Sequence, residues 1–218
     1  MNWAELWPLL WQATLETFQM VIPAAVIAEV LGLGLGVLLT LTRPGGLLAN
    51  RPLNRVLDAI VNIGRSLPFI ILLVLLIPLT RLLTGTSIGS TAAIVPLTIA
   101  AIPFVARLVD GALYSVPGGV VEAARAMGAS TGQIVWKVLL PEARPALIQS
   151  FTVMVVNLIG YSAMAGAIGG GGLGDLAIRY GYQRFETGVM VATVLVLLLL
   201  VQGVQWLGDW AARRSDHR

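Results

Sequence analysis

GVMVATVLVLLLLVQGVQWL, residues Gly188–Leu207, runs for twenty positions without a charged side chain. Wound as a helix rising about 1.5 Å per residue it is about 30 Å long, the thickness of a bilayer's hydrocarbon core. Working outward, four more mainly apolar stretches are long enough to cross: Thr17–Leu41, Ala59–Leu83, Ile88–Arg107 and Ala146–Ile168. The whole chain agrees with them. Its 218 residues are 57% hydrophobic and 11% charged, with mean hydropathy +0.85, whereas a soluble domain is about 25% charged. No polar or low-complexity stretch is long enough to separate two units, so residues 1–218 read as a single transmembrane domain. The expected fold is all-α, a polytopic membrane protein of five transmembrane helices. Residues 1–13 contain no Lys or Arg, so the first apolar segment lacks the basic region of a signal peptide and is expected to be retained.

Five spans place the termini on opposite sides. With the N-terminus outside, the inner segments hold ten basic residues: Arg43, Arg51, Arg55, Arg107, Arg125, Lys137, Arg144, Arg213, Arg214 and Arg218. Only Arg81, Arg179 and Arg184 lie outside. The positive-inside rule therefore predicts N-out and C-in, the C-terminus cytoplasmic. The net charge of +3 is explained by these loops; no basic patch with interleaved aromatics marks a nucleic-acid surface. Pro23, Pro68, Pro78, Pro96 and Pro103 fall within spans and need neighbouring helices to support the backbone. Gly32 and Gly36 form a GxxxG that permits close helix approach. Glu29 and Arg65 are costly in lipid, and an ion pair, snorkelling or a place on the pathway would each accommodate them.

Enzymatic chemistry lacks its materials. The only histidine is His217 in the charged tail, and there is no cysteine, so neither a His-dependent triad nor a His/Cys metal cluster can be assembled. A phosphate-binding loop needs Gly-Lys-Ser/Thr, yet Trp136 precedes the only lysine, Lys137. Gly169, Gly171 and Gly174 fit G-x-G-x-x-G, but without a preceding strand the match is accidental. Residues Gly169–Gly172 read instead as a loop needing unusual backbone angles or close packing.

The longest inner segment, about 108–145, holds a short helix that cannot cross a membrane. Pro117 suits its start and Gly128 its stop. Val120, Ala123, Ala124 and Met127 fall at i, i+3, i+4 and i+7, a small apolar face two turns long. That face could pack on its own bundle, lie at the membrane surface or enter a groove on a partner. On the fourth span, Ser150, Met154, Asn157, Tyr161, Met164 and Ile168 recur at steps of three and four. This stripe is either a helix interface or the lining of a path, because its polar and thioether side chains tolerate both water and apolar neighbours.

Glu122-Ala123-Ala124, Gly128 and, after nine intervening residues, Val138-Leu139-Leu140-Pro141 resemble the EAA signature of ABC importer permeases, with Val138 in place of the usual Ile. Ile60–Leu73, Gly85–Gly89, Ala92–Thr98 and Gly160–Met164 are similar to the methionine-uptake subfamily. The resemblance implies a cytoplasmic coupling helix in which Glu122, Ala123, Ala124, Met127 and Gly128, with Leu140 and Pro141, engage a separate ATPase. It places Tyr161–Gly174 near a gate. It further implies a second copy of the chain, two ATPase subunits that hold the ATP and Mg, and an extracytoplasmic binding protein delivering methionine, in its L or D form. No cofactor is expected in this chain, which would act as a transport subunit rather than an enzyme. A permease for another small amino acid or peptide, or a non-transporting membrane scaffold, would carry many of the same features. A self-contained secondary transporter is disfavoured, since no inverted repeat is visible.

Overall fold

The computed structural model describes residues 3–215, with side chains from Glu5 onward; His217 and Arg218 of the charged tail lie outside the described residues. Among these residues every regular element is helical. Four helices are long and apolar enough to cross a membrane: α1 (Trp3–Thr42), α5 (Ser90–Tyr114), α9 (Arg144–Ala165) with the turn that follows it, and α11 (Thr187–Ser215). They are apolar around most of their circumference, which suits a lipid solvent, and their backbone bonds are closed within each segment. At 40 residues, α1 extends about 60 Å, twice a bilayer core. It begins well before the expected Thr17.

The second expected span is not one helix. α2 (Arg51–Ser66) and α3 (Phe69–Leu75) meet at a bend of 101°, and α4 (Ile77–Thr84) follows after Leu76. Pro68 explains the break: it has no N–H to continue the helix, and its ring drives Leu67 out of helical geometry. Pro68 itself takes φ −59°, ψ 132°, and its carbonyl accepts from Ile71 and Leu72 to start α3. Five spans remain the count when the bent pair is taken as one.

Contacts divide the chain into two compact units. One comprises Met1–Ala28, Leu67–Ala101 and Met154–Gln205; the other comprises Glu29–Ser66, Ile102–Val153 and Trp206–Arg218. Most of these boundaries fall inside α1, α5, α9 and α11 rather than in linkers. In the first unit Leu6, Leu10 and Ala13 of α1 form an apolar ridge against Leu173, Leu176, Val189 and Ala192. In the second, Leu39, Val61 and Ala106 pack together from α1, α2 and α5.

The GxxxG of α1 is a contact surface within that second unit. A Cβ added at Gly32 would sit 2.5 Å from Val105 Cβ, and one at Gly36 would sit 2.7 Å from the Ala106 carbonyl oxygen. Gly34 faces open space. Gly36→Val is therefore expected to force α1 and α5 apart and destabilise the protein by about 1–3 kcal/mol. Thermal melting of the purified protein checks this, with Gly34→Val as the comparison that should melt close to wild type. Glu29 is half-buried and Arg65 exposed, and neither takes part in the ion pairs found among the described residues.

Candidate functional site

The segment after α5 folds as its residue types direct. Pro117 (φ −58°, ψ 128°) precedes α6 (Gly118–Ala126), and its carbonyl accepts from Val120 N–H. At the other end Met127 N–H donates to Ala123 O, Gly128 N–H to Arg125 O and Ala129 N–H to Ala124 O. Gly128 stands at φ +81°, the left-handed conformation that ends a helix and disfavours a side chain. Pro117 and Gly128 thus bound the helix as the sequence predicts.

Ser130 then opens α7 (Thr131–Ile134) with a capping box. Its hydroxyl accepts from Gln133 N–H, while Gln133 Oε1 accepts from Ser130 N–H at 2.8 Å. Residues Val135–Leu139 widen into a π-helical turn in which Leu140 N–H donates back to Val135 O. α8 (Leu140–Glu142) holds Pro141 in its first turn, where a missing N–H costs least.

The four-residue apolar face of α6 is split by this packing. Ala124 is buried where α6 meets the Val135–Leu139 turn, whereas Glu122 and Ala123 are exposed and Met127 is 82% exposed. Ala124 therefore serves the chain's own packing, and Glu122, Ala123, Met127 and Gly128 form the free side. Pro141 is exposed and Leu140 partly buried. A short helix packed through Ala124 and partly buried Val121, with Ala123, Met127 and Gly128 exposed, can accept a partner without reshaping its own fold.

The stripe on α9 is also uneven. Met154 is fully buried, on the packed side of the helix. Ser150, Asn157 and Tyr161 are partly buried, while Met164 is 41% and Ile168 43% exposed. Tyr161 stacks on Phe69 at 4.5 Å between ring centroids, with planes 2° apart. The helical spacing stops at Ala165: Ile168 takes φ −116°, ψ 27°, and Gly169 turns to φ +93°. Ile168 thus reaches its place through a kink, not through helical periodicity.

That kink opens a glycine turn which α1 holds in place. Gly171 and Gly172 adopt φ +78° and +75°. The next helix, α10 (Gly172–Leu176), presents its first N–H groups to α1 side chains: Gly172 donates to Glu16 Oε2 at 2.8 Å and Leu173 to Thr17 Oγ1 at 3.0 Å. Gln12 steadies the other Glu16 oxygen at 3.0 Å, and Gly89 N–H donates to Gly169 O at 2.9 Å. The G-x-G-x-x-G spacing therefore serves a left-handed turn between helices, with no strand before it. Glu16, Thr17 and Phe69 were not singled out from the sequence. Their partners lie far along the chain, and nothing local marks them.

The chain matches the family described as binding-protein-dependent transport system inner membrane component over residues 32–217. It is 57% identical over 210 residues to the probable D-methionine transport system permease protein MetI of Vibrio cholerae, covering 96% of this chain and 93% of that one. The corresponding Pasteurella multocida protein is 53% identical, covering 98% of both. Among solved structures, a chain of the MetNI methionine ABC transporter in an inward-facing conformation superimposes with a TM-score of 0.97 at 49% identity, covering all of both chains.

Proposed function

The chain belongs to the family of binding-protein-dependent transport system inner membrane components, and from that premise we propose that it forms the methionine path of an ATP-driven importer. It is a multi-pass ABC transporter permease subunit, the transport component of its complex. The observation that carries the reading is the α6 segment, a capped helix whose Glu122, Ala123, Met127 and Gly128 are left free for a partner. In the proposed assembly two copies of the chain build the path, each α6 enters a cleft of an ATPase subunit, and an extracytoplasmic binding protein supplies methionine. ATP and Mg stay with the ATPase, and this chain contributes no hydrolysis of its own. Tyr161, Met164 and Ile168, at the end of α9 and the glycine turn, supply the gate; Ser150 and Asn157 line the approach, while buried Met154 supports it from behind.

Uptake of labelled L- and D-methionine into proteoliposomes holding the permease, its ATPase and the binding protein tests this. ATP-dependent accumulation, competed by unlabelled methionine and not by a panel of other amino acids, is the expected result. Accumulation of a different amino acid would redirect the substrate, and binding without flux would leave a scaffold.

The proposed orientation is N-out and C-in, with α6 cytoplasmic. Single cysteines at exposed Ser87 and Ser130 in the cysteine-free chain should be labelled by an impermeant reagent from outside and inside, respectively. Reversed labelling would invert the arrangement.

A further inference from the structure

Asp110 lies near the end of α5, four residues before Tyr114 and eight before α6 begins. Its side chain is 3% exposed. A buried carboxylate is tolerated only when its oxygens are engaged, and here both are. Oδ1 accepts from Thr40 Oγ1 at 3.0 Å, and Oδ2 receives Arg43 at 2.7 Å and Arg107 at 3.4 Å. Arg107 also reaches Asp58 Oδ1 at 2.6 Å and Asn62 Oδ1 at 3.0 Å. One charge cluster thereby joins the ends of α1 and α5 to the middle of α2.

Arg43 has a second engagement, its guanidinium lying 4.6 Å over the ring of Tyr114, the last residue of α5. Beyond that ring is an open cavity of about 370 Å³ bordered by Arg43, Tyr114, Glu122, Arg125 and Leu139. The α6 helix therefore borders open space along Glu122 and Arg125. It has a firm point of attachment at Ala124 and a covalent one through residues 115–117. Free volume beside a short helix lets it shift, and the Tyr114–Arg43–Asp110 chain is the polar connection next to it.

We infer that Asp110 is a positioning residue for energy coupling: it locks the ends of α1 and α5, and through Arg107 the middle of α2, into one body, so that displacement of α6 moves the spans instead of being absorbed locally. This rests on the reading of α6 as the coupling helix. A carboxylate suits the role because it can hold two guanidinium groups and a hydroxyl at once, which a neutral amide cannot do without turning its own N–H₂ donors toward them. Asn62 and Asp58 extend the lock to α2, the helix that leads into the bend at Pro68.

The test uses the assembled permease–ATPase complex in proteoliposomes with the binding protein, and reads methionine taken up per ATP hydrolysed. Asp110→Asn keeps the side-chain shape and removes the charge. It should assemble with the ATPase and continue to hydrolyse ATP while uptake per ATP falls about tenfold or more. Arg43→Gln should lower uptake per ATP as well, and the double variant should lose less than the two single losses combined, because the Arg43–Asp110 contact is common to both. Wild-type uptake per ATP in Asp110→Asn would overturn the inference. So would a loss confined to the amount of assembled complex, with normal stoichiometry in the part that survives, since that marks ordinary packing. Failure of the wild-type complex to transport would instead strike the proposed function, and a Gly128→Asp variant that keeps full uptake would strike the reading of α6.

Discussion

Gly128→Asp is expected to release the ATPase and abolish uptake, while the chain itself still folds. A Cβ at this position meets nothing within 4 Å, so the substitution creates no clash inside the protein. Two costs remain. The residue must hold φ +81°, which in an L-amino acid costs about 1–2 kcal/mol, although Asp tolerates it better than most. The larger cost falls on the partner side, where a carboxylate would enter a protein cleft without a counter-charge. An unpaired buried charge costs about 3–5 kcal/mol, roughly a hundredfold or more in affinity. Gly128→Asn separates the two contributions, since Asn accepts the left-handed conformation and carries no charge. Co-purification of the ATPase with the permease, measured beside uptake, should show loss for Asp and substantial retention for Asn. Normal binding and uptake by the Asp variant would remove α6 from the coupling interface.

Met164→Asp is expected to make the resting transporter leak. Met164 stands 41% exposed one residue before α9 ends, and Ile168 is similarly open on the glycine turn that Glu16 and Thr17 hold. In the proposed dimer these side chains meet their counterparts and close the path. A thioether packs well against irregular apolar surface, and a dry apolar constriction blocks solute by excluding water. A carboxylate there would hold water, and two facing carboxylates would repel. Methionine preloaded into proteoliposomes should escape without ATP from the Asp variant at least about tenfold faster than from wild type. Met164→Leu, close in volume, should change stability by less than about 1.5 kcal/mol and leave the vesicles tight. Paired cysteines at position 164 should cross-link between copies. Tight vesicles and no cross-link for these variants would return Met164 to ordinary helix packing.

The bounds of α6, the proposed coupling helix, were readable because their signals are local. Pro117 and Gly128 act on their own backbone, and the distance from Glu122 to Pro141 is a matter of counting along the chain. The stripe of the proposed gate was only partly readable. Periodicity aligned Ser150, Met154, Asn157, Tyr161 and Met164 on α9, but it could not tell that Met154 is fully buried. Nor could it tell that the helix yields to a kink before Ile168. Similarly, Ala123 and Ala124 are indistinguishable by composition and adjacent by number. Only packing against the Val135–Leu139 turn makes one of them structural and leaves the other free.

Hydropathy and charge were sufficient for the helical membrane class, because a bilayer offers no water to an unpaired backbone and leaves a long uncharged segment few alternatives to a helix. The expected orientation follows likewise from the uneven placement of Arg and Lys. Tertiary structure decided the rest. The bend at Pro68 turns a run of apolar residues through 101°, and hydropathy records how apolar a segment is, not where it points. The Asp110 cluster gathers Thr40, Asp58 and Arg107 from separate helices, and the Glu16 contact joins residues 156 positions apart. Such pairings depend on which helix faces come together, and side-chain periodicity within one helix carries no information about its neighbour.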